Sequence, residues 1–81
     1  MHTFQVNLRS VNDVKAFVAA ASMTDCDIDV LSGRYLVDAK SIMGLFSLNL
    51  TKPVTVQVHG SREEMEAFQA EILSLLYVPQ S

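Results

Sequence analysis

Residues 54–65 read Val54-Thr55-Val56-Gln57-Val58-His59-Gly60-Ser61-Arg62-Glu63-Glu64-Met65, and two periods meet there. Up to His59 valine alternates with polar residues. Val54, Val56 and Val58 share one side; Thr55, Gln57 and His59 share the other. A period of two predicts a strand with one buried face. Gly60 breaks it. Ser61, with Glu64 three residues on, has the form of a capping box. Met65, Phe68, Ile72, Leu75 and Leu76 then recur at helical spacing and predict a helix over 62–76; Pro79 closes the segment. A one-faced strand beside a one-striped helix implies packed layers of both.

The same alternation recurs upstream. Phe4, Val6 and Leu8 predict a strand over 4–9. Ser10 then caps a helix over 11–22, with Asp13 reaching back, and Val14, Phe17, Val18 and Ala21 form its stripe. Cys26, Ile28 and Val30 predict a strand over 25–30, and Ser32-Gly33 a hairpin turn. Tyr35, Val37 and Ala39 share a face of the returning strand, 34–39. Ser41 opens a short helix over 42–49, with Asn49 where a left-handed C-cap would stand. Lys52-Pro53 connects it to residues 54–59. The order is β-α-β-β-α-β-α in a single domain, 1–81, without repeats or linkers. Four strands with one apolar face each need helices on that face. The fold class is an α/β open-faced sandwich with an antiparallel or mixed sheet.

Composition narrows the function. Hydrophobic residues make up 49% of the 81, too many for a disordered chain. The net charge is −3, with no Lys/Arg cluster, so nucleic acid is not an expected partner. No apolar run is long enough for a membrane span. Cys26, the one cysteine, has no partner for an internal disulfide. No signal segment is evident, so a cytoplasmic setting is expected. His2, His59 and Cys26 lack metal-ligand spacing, and Asp25, Asp27 and Asp29 lack a calcium-loop glycine. No metal or cofactor is expected. No nucleophile–base or acid–base pair stands out, so the chain does not read as an enzyme.

The run Val37-Asp38-Ala39-Lys40-Ser41-Ile42-Met43-Gly44-Leu45-Phe46-Ser47-Leu48-Asn49-Leu50 resembles the regulatory segment of the histidine-containing phosphocarrier (HPr) family of the sugar phosphotransferase system. There it reads close to V-N-L-K-S-I-M-G-V-M-S-L-G-I. Element order and length agree over nearly the whole chain. The resemblance implies an HPr-like open-faced β-sandwich, four antiparallel strands covered on one face by three helices.

One segment departs from that family. Its active-site loop reads close to G-L/I-H-x-R-P-A and runs into the first helix. Here Leu8-Arg9-Ser10-Val11-Asn12-Asp13 passes almost directly into the helix. Aligning Phe17-Val18 with the family's first helix puts Ser10 at the histidine's place, Asn12 at the arginine's and Asp13 at the proline's. Several loop residues are missing. Phosphoryl relay needs an adduct energetic enough to pass on. A phosphoimidazole qualifies; a phosphoserine ester is too stable. Arg9 and Ser10 are therefore expected to be remnants of the active-site position.

The expected function is a regulatory or adaptor module of the phosphotransferase-system family that works by binding. Ser41 is the candidate phosphosite, because the resemblance implies phosphorylation there by a dedicated kinase; its plainer role is an N-cap. Met43 and Phe46 fall off the stripe of Ile42, Leu45 and Leu48. With Lys40 and Ile42 they form the candidate protein-binding face. The expected partner is a phosphotransferase-system component, a serine kinase or a transcriptional regulator, and the chain a monomer or weak homodimer. Two alternatives stand beside this: an atypical phosphocarrier using His59 or His2, and a small homo-oligomeric structural subunit.

Overall fold

The computed structural model describes residues 1–78; Pro79 lies outside them. Strands β1 (His2–Val6), β2 (Asp27–Ser32), β3 (Tyr35–Asp38) and β4 (Val54–His59) form one sheet. Its order is β1-β4-β2-β3, with every neighbouring pair antiparallel. Helix α1 (Val11–Ser22) joins β1 to β2, and α2 (Ile42–Phe46) joins β3 to β4. Helix α3 (Arg62–Glu71) follows β4 and gives way to a 3₁₀ turn at Leu73–Leu75.

The topology explains why the sheet is covered on one side. Both crossovers skip one strand. β1 and β3 run in opposite directions and their crossovers move in opposite senses across the sheet. The same hand of connection therefore puts both helices on one face. The inward residues Val6, Ile28, Val30, Val54, Val56 and Val58 are almost fully buried under them. Phe17 of α1 meets Phe68 of α3 edge-on, ring centroids 5.5 Å apart, and Phe4 lies 6.2 Å from Phe68. Such a pair adds about 0.5–1.5 kcal/mol beyond its buried area.

Several expected boundaries shift. The first strand is His2–Val6 rather than 4–9; Leu8 stays in the core although it lies past the strand. The second is Asp27–Ser32 rather than 25–30. The hairpin turn is Gly33-Arg34, closed by Ser32 and Tyr35. Gly33 has φ +61° while Arg34 stays at negative φ, so glycine takes the first central position that a two-residue turn of this kind demands. α2 is shorter than 42–49: it is capped by Ser47, whose φ of −80° is right-handed. Asn49 is not a left-handed cap. Its side chain instead accepts from the Thr51 amide at 3.1 Å, turning the chain toward β4. The last helix stops at Glu71, not 76, because Ile72 leaves helical geometry at φ −124° and ψ 30°. Leu76 then bridges to Val6, and this segment covers the outer edge of β1.

Helix starts follow the residues expected. Ser10, Ser41 and Ser61 each accept a hydrogen bond from the amide three residues on. The Ser61–Glu64 capping box is complete.

Gly60 is required by a close approach. A Cβ there would lie 2.6 Å from Cys26 Sγ and 2.8 Å from Cys26 Cβ. Gly60→Ala is expected to lower stability by about 1–3 kcal/mol in urea unfolding; a change within half a kilocalorie would contradict the packing. Burial, and then the Glu64 carboxylate, push the Cys26 thiol pKa up. The folded chain thus holds that proton more tightly than the unfolded one. The stabilisation is complete below the unfolded thiol's value, about 8.5, and is lost as pH rises through the folded value. Alkylation of Cys26 at mildly alkaline pH is expected to be slower in the native protein than in urea, and faster in Glu64→Gln than in wild type.

Candidate functional site

The start of α1 and the end of α2 meet on the helical layer and enclose a groove of about 530 Å³. Leu8, Arg9, Ser10, Val11 and Val14 line one wall; Phe46, Leu50 and Thr51 line the other. Antiparallel pairing puts them there. Val6, at the end of β1, pairs with Val54, at the start of β4, so the chain leaving β1 passes the loop entering β4.

Local hydrogen bonds already occupy the start of α1. Ser10 Oγ accepts from the Asp13 amide at 3.1 Å. Asp13 Oδ2 accepts from the Arg9 amide at 2.9 Å, one residue before the cap. A carboxylate therefore stands at the positive end of the helix dipole, where it is stabilised.

Neither imidazole is near. His2 pairs with Val58 at the opposite end of the sheet, and His59 follows Val58 there. Four strand residues from Val6 back to His2 span about 13 Å. His59 Nε2 lies 2.8 Å from Asp29 Oδ2 on the open face of the sheet, tying β4 to β2.

The candidate binding residues divide. Arg9, Ser10 and Phe46 share the groove. Phe46 is 45% exposed and Met43, on the outer side of α2, 78% exposed. Ile42 is half-buried and packs against the core. Lys40 is engaged elsewhere: its ammonium donates to the Thr24 carbonyl at 2.9 Å, anchoring the start of α2 to the loop after α1. Ser41 caps α2 at the end away from the groove, accepting from the Gly44 amide at 3.2 Å. Sequence reasoning missed Val11, 54% exposed at the groove rim. Its signal was position: an apolar residue straight after the cap and off the stripe of Val14, Phe17, Val18 and Ala21. Among the described residues no cluster of metal-ligating side chains forms, and no helix is long and apolar enough to cross a membrane.

Comparison with known proteins agrees with this architecture. The family model "PTS HPr component phosphorylation site" matches residues 5–77. Comparison with curated proteins gives no match. Among solved structures, HPr-C-His from Thermoanaerobacter tengcongensis aligns with TM-score 0.75 at 26% identity, over 91% of this chain and 93% of that one. The phosphocarrier protein HPr from Bacillus anthracis str. Ames aligns with TM-score 0.69 at 28% identity, over the same shares, 91% and 93%. Sheet order, helical cover and a family match over almost the whole chain agree, and the chain belongs to the HPr family of the phosphotransferase system.

Proposed function

We propose that this HPr-family protein acts as a regulatory or adaptor module, recognised by partners rather than relaying phosphate through an imidazole. One observation carries the reading: the start of α1 holds Ser10 and the Asp13 carboxylate, while both histidines stand at the far end of the sheet. A hydroxyl there would give an ester too stable to pass on. A neighbouring carboxylate would repel the phosphate oxygens that cationic or N–H donors must hold. Arg9 alone supplies a charge but no nucleophile.

What remains is a surface. Val11, Met43 and Phe46 expose apolar side chains on adjoining elements. An adaptable methionine beside an aromatic ring suits protein recognition. Arg9 at the rim favours a partner with carboxylates. The partner class is a phosphotransferase-system component, a serine kinase or a transcriptional regulator, met in the cytoplasm. Ser41 is the position for control. A phosphate on it would meet the start of α2 without leaving the surface, changing charge more than fold.

Incubation with phosphoenolpyruvate and the system's first enzyme, beside an ordinary HPr as positive control, tests the loss of relay. The expected result is no phosphate on this chain. Acid-labile, base-stable labelling would overturn the proposal, and His2→Asn and His59→Asn would then locate it. Capping by Ser41 is tested separately. Ser41→Ala is expected to cost about 0.5–2 kcal/mol in urea unfolding, and Ser41→Asp, which retains an acceptor, far less. Equal losses would remove the capping role. Labelling of wild type but not Ser41→Ala by a serine kinase of the system would support the phosphosite; labelling of both would place it elsewhere.

A further inference from the structure

The two edges of the sheet differ. The outer edge of β1 is covered: the Asn7 amide donates to Leu75 O and the Tyr77 amide to Gln5 O. β3 ends the sheet on the other side, and among the described residues no strand pairs with its outer edge. The Ala39 amide donates to Ile28 O at 2.9 Å. By alternation, Tyr35 and Val37 also direct their backbone groups to β2, and Leu36 directs both of its groups outward. The Asp38 amide points outward too, while its carbonyl accepts from the Ser41 amide at 3.0 Å, where the edge ends. An uncovered edge of this kind is a template for pairing.

Its side chains are unusual for an open face. Val30, buried, pairs with Val37, so Leu31 and its partner Leu36 point to the side without helices. Leu36 is 57% exposed. Arg34 and Asp38 continue the same parity on either side of Leu36. Neither makes an ion pair among the described residues. Asp38 lies directly opposite Asp29, a like-charge pair. His59 Nε2 meets Asp29 at 2.8 Å, whereas the Asp38 carboxylate, among the described residues, meets only the Lys40 amide.

We propose that β3 pairs antiparallel with β3 of a second copy, about a two-fold axis through Leu36. This is independent of the proposed function above. The run Arg34-Tyr35-Leu36-Val37-Asp38 is self-complementary in that register. Leu36 meets the second copy's Leu36, and the two exchange both backbone hydrogen bonds. Arg34 meets Asp38, and Asp38 meets Arg34. On the open face the leucine pairs of both hairpins join into one apolar row across four strands. Tyr35 meets Val37 on the helical side. Shifting the register by two residues sets leucine against a charge, and parallel pairing sets Arg34 against Arg34. Charge complementarity therefore selects a second copy in one register. The interface is short, so association is weak and reversible.

Sedimentation equilibrium on the full chain, from about 10 μM to about 1 mM, reads the association constant. Wild type is expected to pass from monomer to dimer across that range. Arg34→Asp and Asp38→Arg should each weaken self-association at least about tenfold, because each sets like charges opposite one another. A mixture of the two should form the heterodimer, since every charge pair is then opposite. Asp38 also accepts from the Lys40 amide, so folding of that variant is checked by circular dichroism. Leu36→Lys, at an exposed position, is a second disruptive variant and should stay monomeric. A wild-type monomer throughout would overturn the proposal. So would a dimer that Leu36→Lys and Arg34→Asp leave unchanged.

Discussion

The fold depends on one constraint: the sheet has a single apolar face, and that face must be covered. Val6, Ile28, Val30, Val54, Val56 and Val58 all point the same way and are almost fully buried. Their cover comes from helices delivered by two interleaved crossovers. Phe17 and Phe68 meet at the centre of that cover. Interiors pack to crystal-like density, so these rings and the valines beneath them fix each other's positions. The helices therefore have little freedom to slide, and the groove between α1 and α2 inherits its shape from the core.

That groove is where core packing reaches the surface. Leu8 and Val14 belong to the core yet also line the groove. Leu45 faces inward from α2, whereas Met43 and Phe46 on the same short helix face outward. Five helical residues cannot bury three faces against one layer. The leftover apolar side chains are a geometric consequence of a helix this short. Ser41 and Lys40 then secure the start of α2, one by capping and one by reaching Thr24. The start of this short helix is thus fixed twice over.

Away from Leu31 and Leu36, the uncovered side of the sheet is polar. His59 and Asp29 join two strands there, and Asp27 lies opposite His59. The placement of both histidines follows from register rather than from any local choice. β1 and β4 are antiparallel, so the start of one and the end of the other share one end of the sheet. The start of α1 is at the opposite end. No rotamer change brings an imidazole across that length of strand.

Much of this was legible in the residues. The period-two run Val54–His59 and the Ser61–Glu64 capping box fall where the sequence placed them, and so does α1, because local geometry alone dictates them. The HPr likeness was legible in the run from Val37 to Leu50, and the family match bears it out. Other features were decided only by tertiary contacts. β1 ends at Val6 because Val54 is the last partner β4 offers, although Leu8 keeps the alternation going. α3 ends at Glu71 because the chain must turn at Ile72 to reach the edge of β1. Val11 became part of the groove, and Leu36 an exposed partner of Leu31, through neighbours distant in the chain. Periodicity reports which residues seek burial; which of them obtain it depends on the area the opposing layer can cover.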